Sequence, residues 1–183
     1  DANNLSDIFN IKADNVHLIN CNFINANAKG ILFNSSNSSV SNCNFNNNYR
    51  HLTTRPLKEN FLVENCNFTN GFSLDGSVVY ILVNNSTVKN CNFMDNLVEN
   101  HENKQGHGAA LQIGGSDNST NLGYVINCTF INNTVICDTE DTHAGALCFR
   151  PGIKVINTTF IDNYCNKIGG ATTLHSDGEI INC

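Results

Sequence analysis

One six-residue phrase recurs along this chain and limits what it can fold into. It reads aliphatic, any residue, Asn, Cys, any residue, Phe. Copies run from Leu18 to Phe23, Val40 to Phe45, Val63 to Phe68, Val88 to Phe93, Val125 to Phe130 and Val155 to Phe160, and a seventh opens at Ile180 and reaches Cys183. The cysteine places are 22, 23, 25, 37, 30 and 25 residues apart, with Thr158 standing in for the thiol in the sixth copy. Repeats of this length belong to solenoids, in which each unit buries its apolar face against the next. Between copies lies a small, Gly-rich element followed by alternating apolar residues, as in Gly108-Ala109-Ala110-Leu111-Gln112-Ile113, Gly145-Ala146-Leu147-Cys148-Phe149 and Gly169-Gly170-Ala171. Each repeat thus offers three short period-two segments separated by Asn or Gly turns. None has the 3.6-residue period of a helical repeat. The expected fold is all-β, a right-handed parallel β-helix of about seven coils with three short strands each, filling residues 1–183 as a single domain.

The residue choices follow from that architecture. Equivalent residues of successive coils stack about 4.8 Å apart, the spacing of paired strands. The motif aliphatics and Phe23, Phe45, Phe68, Phe93, Phe130 and Phe160 are expected inside, as an aliphatic ladder and a column of rings. Each buried phenyl contributes roughly 1.5–3 kcal/mol. Asn tolerates the left-handed backbone of tight corners, and stacked amides bond along a ladder. Asn20, Asn42, Asn65, Asn90, Asn127, Asn157 and Asn182 are therefore expected at the corners between strands, with a structural role.

Asparagine supplies most of the polarity, with 35 residues, while charged residues make up only 14%. That fraction is too low for a charge-solvated disordered chain. The net charge of −6 and the lack of a basic stripe remove the electrostatic footprint of nucleic-acid binding. No apolar run is long enough to span a bilayer. No signal peptide opens at Asp1, and Cys183 falls within a repeat. The expectation is a piece of a longer repeat protein with flanking coils of the same chain.

Six of the nine cysteines (Cys21, Cys43, Cys66, Cys91, Cys128 and Cys183) occupy the motif place. They are expected to point inward and pack as small hydrophobes. Neighbours on the ladder have parallel Cβ vectors a full strand apart, whereas a disulfide wants Cβ atoms about 3.8 Å apart. A ladder of reduced thiols is expected, with no metal or catalytic role. Cys137 and Cys165 lie in corresponding loops of adjacent coils, where a disulfide and two free thiols both remain open. Cys148 sits at an outward strand position, as a free surface thiol.

Long loops on a rigid scaffold are where binding residues collect. Arg50, His51, Arg55 and Lys58 form the basic cluster of the chain, suited to an acidic glycan or a partner protein. His101, Glu102 and His107 lie in the longest insertion, and Glu140, Asp141 and His143 lie in the next coil. His107 and His143 align in the repeat, so a carbohydrate or cation site is conceivable there, set against a plain solvated surface. No cofactor is called for. Asp95 and Asp162 share a place two residues after the motif Phe, with Asn132 between them, and read as turn solvation rather than as a carboxylate pair for hydrolysis. Asn-x-Ser/Thr acceptors stand at Asn34, Asn37, Asn85 and Asn118, and those within the motif, Asn127 and Asn157, are expected to be buried.

With these motifs in view, the sequence resembles the adhesin-like β-helix surface proteins of methanogenic archaea, whose coils carry Asn-Cys-x-Phe. It is also similar to the passengers of chlamydial polymorphic outer-membrane proteins, marked by Phe-x-x-Asn and Gly-Gly-Ala. Phe-x-x-Asn occurs at Phe45 to Asn48, Phe93 to Asn96, Phe130 to Asn133 and Phe160 to Asn163, and fails at Phe23 (Ala26) and Phe68 (Gly71). The resemblance implies an extracellular or cell-surface adhesin module that presents loops to a surface protein or glycan of another cell. The alternatives are a carbohydrate-active β-helix enzyme (a lyase, hydrolase or epimerase) and a passive spacer.

Overall fold

The computed structural model describes residues 7–56, 58–100, 106–114, 122–140, 142–174 and 177–183. The described residues form a parallel β-helix with no helix among them. Every strand pairing is parallel and joins one coil to the next. Sheet A stacks Phe9–Ile11, Ile31–Phe33, Leu52–Thr54, Val79–Ile81, Leu111–Ile113, Leu147–Phe149 and Thr172–Leu174. Sheet B stacks His17–Ile19, Ser38–Ser41, Glu59–Glu64, Asn84–Lys89, Gly123–Ile126, Ile153–Ile156 and Glu179–Ile181. Sheet C carries the motif Phe in Asn22–Ile24, Asn44–Asn46, Asn67–Thr69, Asn92–Met94, Thr129–Ile131 and Thr159–Ile161.

Three strands per coil is right only for the first two coils. From Phe72 onward a fourth sheet, D, is inserted after C: Phe72–Ser73, Leu97–Asn100, Thr134–Cys137 and Tyr164–Cys165. The later coils place more extended residues after Phe-x-x-Asn. Their inward side chains Val98, Val135 and Cys137 close a second small core with Ala109 and the half-buried Cys165.

The main core fills the space between sheets A, B and C. Val40, Val63, Val88, Val125 and Val155 are fully buried and in register. The phenyl column is continuous: centroids of Phe23, Phe45, Phe68, Phe93, Phe130 and Phe160 follow one another at 4.8, 4.8, 5.0, 4.6 and 5.1 Å. Its rings lie within 23° of parallel. The stacking is imposed by the sheet, since the strand spacing delivers one ring per coil.

Corners between B and C are turned by the motif asparagines. Asn20, Asn42, Asn65, Asn90, Asn127, Asn157 and Asn182 all have φ between 49° and 56°. A second left-handed place ends each C strand, at Asn25, Asn47, Asn70, Asp95, Asn132 and Asp162. The two aspartates therefore serve as corner residues. A third falls at the entry to sheet B, at Asn15, Asn37, Asn60 and Asn85, with φ from 53° to 61°; Asn60 and Asn85 are the second residues of their strands. Contrary to expectation, Asn127 and Asn157 are exposed. A left-handed corner turns its side chain outward while the flanking Val and Cys point in.

Candidate functional site

The expected basic cluster does not exist as a cluster. Arg50 is drawn onto the protein: its guanidinium pairs with the Asp75 carboxylate, donates to Ser73 Oγ at 3.1 Å and lies 5.9 Å from the centre of the Tyr80 ring. His51 is wholly buried between Phe45 and Phe68. Burial pushes its imidazole down to about 4, so it is neutral near pH 7. Arg55 remains exposed and Lys58 half-buried. The sequence could not show that His51, just ahead of a sheet A strand, fills a hole left by Gly71, where an added Cβ would overlap Nε2.

That hole lies in a buried amide ladder to which the sequence alone assigns no role. The asparagine of Phe-x-x-Asn points inward, and its Nδ2 caps the carbonyl of a phenylalanine one coil back. Asn48 donates to Phe23 O at 2.9 Å, Asn96 to Phe68 O at 3.1 Å, Asn133 to Phe93 O at 3.1 Å and Asn163 to Phe130 O at 2.9 Å. The amides also bond to one another, Asn96 to Asn133 at 2.9 Å and Asn133 to Asn163 at 2.8 Å. Gly71 breaks the series, and His51 bridges the break by contacting Asn48 and Asn96 at 3.1 Å each.

The aligned histidines do come together. His107 and His143 are bridge partners in parallel, with rings stacked at 5.7 Å and 9°. Glu140, however, is paired with Lys167 at 2.7 Å. Among the described residues no group of three or more His, Cys, Asp or Glu side chains is arranged to hold a metal ion. His101, Glu102, Asp141 and the acceptor Asn118 lie outside the described residues.

The motif cysteines are free thiols, and Cys43, Cys66, Cys91 and Cys128 are buried. They are more than small hydrophobes. Each sulfur donates to the carbonyl two residues earlier, Cys43 to Ser41 O at 3.1 Å and Cys66 to Glu64 O at 3.1 Å. Cys43 and Cys66 also accept from the coil before, from Cys21 N at 3.4 Å and Cys43 N at 3.5 Å. Burial pushes the Cys43 thiol up to about 11. Cys137 and Cys165 are both thiols on sheet D strands rather than in loops. Cys165 is in register with Val135, two residues short of Cys137, so the register does not match them for a bond. Cys148 is also not a surface thiol: it is 5% exposed, and burial pushes it up to about 11. Its side chain leaves the outer face of sheet A, but that face is covered there, with Gln112 beside it equally buried.

A concave feature with ligand-like dimensions lies outside sheet B. It is a groove of about 430 Å³ lined by His17, Asn37, Ser38, Ser39, Asn60, Phe61, Leu62, Asn85 and Thr87. One wall is the third corner ladder, in which Asn60 Nδ2 donates to Asn37 Oδ1 at 2.7 Å and Asn85 Nδ2 to Asn60 Oδ1 at 2.5 Å. The floor is an outward row of sheet B in strict register, His17, Ser39, Leu62 and Thr87. His17 Nδ1 lies 2.8 Å from Ser39 Oγ. None of the nine lining residues is acidic. The sequence carried a signal for this wall, because Asn15, Asn37, Asn60 and Asn85 each stand three residues before the motif aliphatic. Neither a scan against protein-family models nor a search of curated proteins finds a match to this chain.

Proposed function

We propose that this chain is a non-enzymatic, adhesin-like binding module of a cell-surface β-helix, and that it holds glycans against the outside of sheet B. The observation that carries this reading is the sheet B groove, where corner amides and strand hydroxyls from successive coils line one trough. Sugars are recognised by planar amides and hydroxyls on a rigid frame, because preorganised donors cost little entropy on binding. A solenoid provides that frame, since each coil is fixed by its neighbours. The trough has no carboxylate to serve as acid, base or nucleophile, which favours binding over bond cleavage. Placement at the cell surface rests on the likeness of the Asn-Cys-x-Phe coils to methanogen adhesin-like proteins and of Phe-x-x-Asn to the chlamydial passengers. Flanking coils of the same chain and a glycan or protein of another cell are the partners this reading implies.

The test is a glycan array and a cell-binding assay with the purified chain. Saturable binding to at least one glycan class is expected. Binding to no glycan and to no cell surface, down to a dissociation constant of about 1 mM, overturns the reading and leaves the spacer role.

A further inference from the structure

The groove floor does not stop at Thr87. In the next coil the same outward row continues with Tyr124, which is in register with Thr87 and 37% exposed. The row then runs to Lys154 and Glu179. Those two side chains are joined at 2.7 Å, so their charges cancel at the far end of the track. The full row is thus two polar residues, an apolar one, a polar one, an aromatic one, and then a neutralised pair. On the neighbouring outward row, Glu64 and Lys89 cancel each other in the same way at 2.9 Å.

From these facts we propose that the outer row of sheet B, from His17 to Tyr124, is a binding track for an uncharged, extended polysaccharide lying along the solenoid axis. The proposal deepens the glycan-binding reading and rests on it. Three features select the ligand class. The rungs repeat about every 4.8 Å, close to the length of one pyranose unit in an extended chain, so successive sugars meet equivalent positions. The wall amides spend one Nδ2 hydrogen on the ladder, and each retains a second hydrogen and an Oδ1 lone pair for sugar hydroxyls. Leu62 and the Tyr124 ring offer flat apolar surface to the C–H faces of sugar rings, as aromatic side chains with a polar tip do. Charge selects against uronates and sulfated glycans. His17 is the one titratable lining residue, and the lysines nearest the track, Lys89 and Lys154, are both held by glutamates.

The experiment is isothermal titration of the full chain with cellohexaose, chitohexaose, mannohexaose and hexagalacturonate. It is repeated with the corresponding trisaccharides and with the variants Tyr124→Ala and Thr87→Ala, each checked for an unchanged melting temperature. Should Tyr124→Ala lower that temperature, Tyr124→Phe keeps the stacking face and serves as the second variant, expected to bind like the parent. A neutral hexasaccharide is expected to bind, more tightly than its trisaccharide. Tyr124→Ala is expected to lose about tenfold in affinity, and Thr87→Ala several-fold. If hexagalacturonate binds at least as well as every neutral probe, or if Tyr124→Ala binds like the parent chain, the track is wrong while the glycan-binding reading stands. If neither these probes nor a broad glycan array gives binding, both fall together.

Discussion

His51 Nε2 stands 3.1 Å from Asn96 Oδ1, forty-five residues further along the chain, and this contact spans the coil that lacks its ladder asparagine. The surrounding bonds fix the direction of each proton. Asn48 Oδ1 accepts from Ala26 N and its Nδ2 donates to Phe23 O, so the amide can only donate to His51 Nδ1. Asn96 Oδ1 accepts from Gly71 N while its Nδ2 serves Phe68 O, so His51 Nε2–H must be the donor there. A neutral imidazole meets both demands. An imidazolium would set two donors face to face at Asn48.

This arrangement predicts a rescue. His51→Ala leaves a cavity and takes one partner from each of two buried amides, and is expected to cost about 2–4 kcal/mol. Gly71→Asn alone is expected to destabilise, because its Cβ would overlap the imidazole. Together the two changes rebuild an ordinary rung, with the introduced amide in the space vacated by the ring. Urea unfolding of both single variants and the double variant checks this. A double variant no more stable than the sum of its parts would refute the splice.

The same residue sets a pH dependence. Its ordinary value of 6.5 falls to about 4 in the fold through burial. Above 6.5 both states are neutral and the stability is fully present. As pH falls from 6.5 towards 4, the unfolded chain takes up a proton that the native chain refuses, and stability drops by about 3 kcal/mol. Below 4 both states are protonated and the slope from this group vanishes. Unfolding free energies at pH 7, 5.5 and 4 for the wild type and the His51→Ala/Gly71→Asn variant isolate the effect. The variant is expected to lack this loss, and parallel curves would contradict it.

Thr158 teaches what the motif cysteine does. Its hydroxyl donates to Ile156 O at 3.0 Å and accepts from Cys128 N at 3.4 Å, the same two bonds the thiols make. The position therefore requires a small group that both donates and accepts. Cys66→Thr is expected to change stability by less than about 1 kcal/mol, while Cys66→Val, of the same shape as Thr, leaves the buried Cys43 N–H unanswered and costs about 1–3 kcal/mol. Thermal melts of the pair decide it. Equal melting temperatures would return the cysteines to the role of simple hydrophobes.

The repeat makes the architecture legible because a solenoid writes each contact many times. Seven aligned phrases suffice to place the phenyl column, the valine ladder and the left-handed corners. The departures are single events. Gly71 breaks the ladder once and His51 answers it once, from a segment that reads as a polar loop. Sheet D escapes notice because its strands are two to four residues long and begin only at Phe72, in the third coil. The basic cluster dissolves for a related reason. Sequence shows charge but not that Asp75, twenty-five residues later, lies one coil above Arg50. The groove is half legible, in the asparagine three residues before each early motif. Its floor needs the register, which alone puts Tyr124 beside Thr87.

Thiol accessibility gives the last prediction, and it follows from the same register. Cys148 reads as an outward residue of its strand, yet the outer face of sheet A is closed over it. Burial holds Cys148 and Cys43 at about 11. Hydrogen bonds with Cys128 and Cys66, together with burial, push Cys91 up as well. The reactive species is the thiolate, so at pH 8 only about one in a thousand such groups is ionised, and the reagent must also reach it. Cys183 is exposed, and Cys21 and Cys165 are partly so. Treating the native chain with iodoacetamide at pH 8, followed by peptide mapping, is expected to label Cys183 first, Cys21 and Cys165 slowly, and the remaining thiols only after denaturant is added. Labelling of Cys148 at the rate of Cys183 would mean that the outer face of sheet A is open. Labelling of Cys66 or Cys91 without denaturant would mean that the coils part in the native state, which the continuous phenyl column forbids.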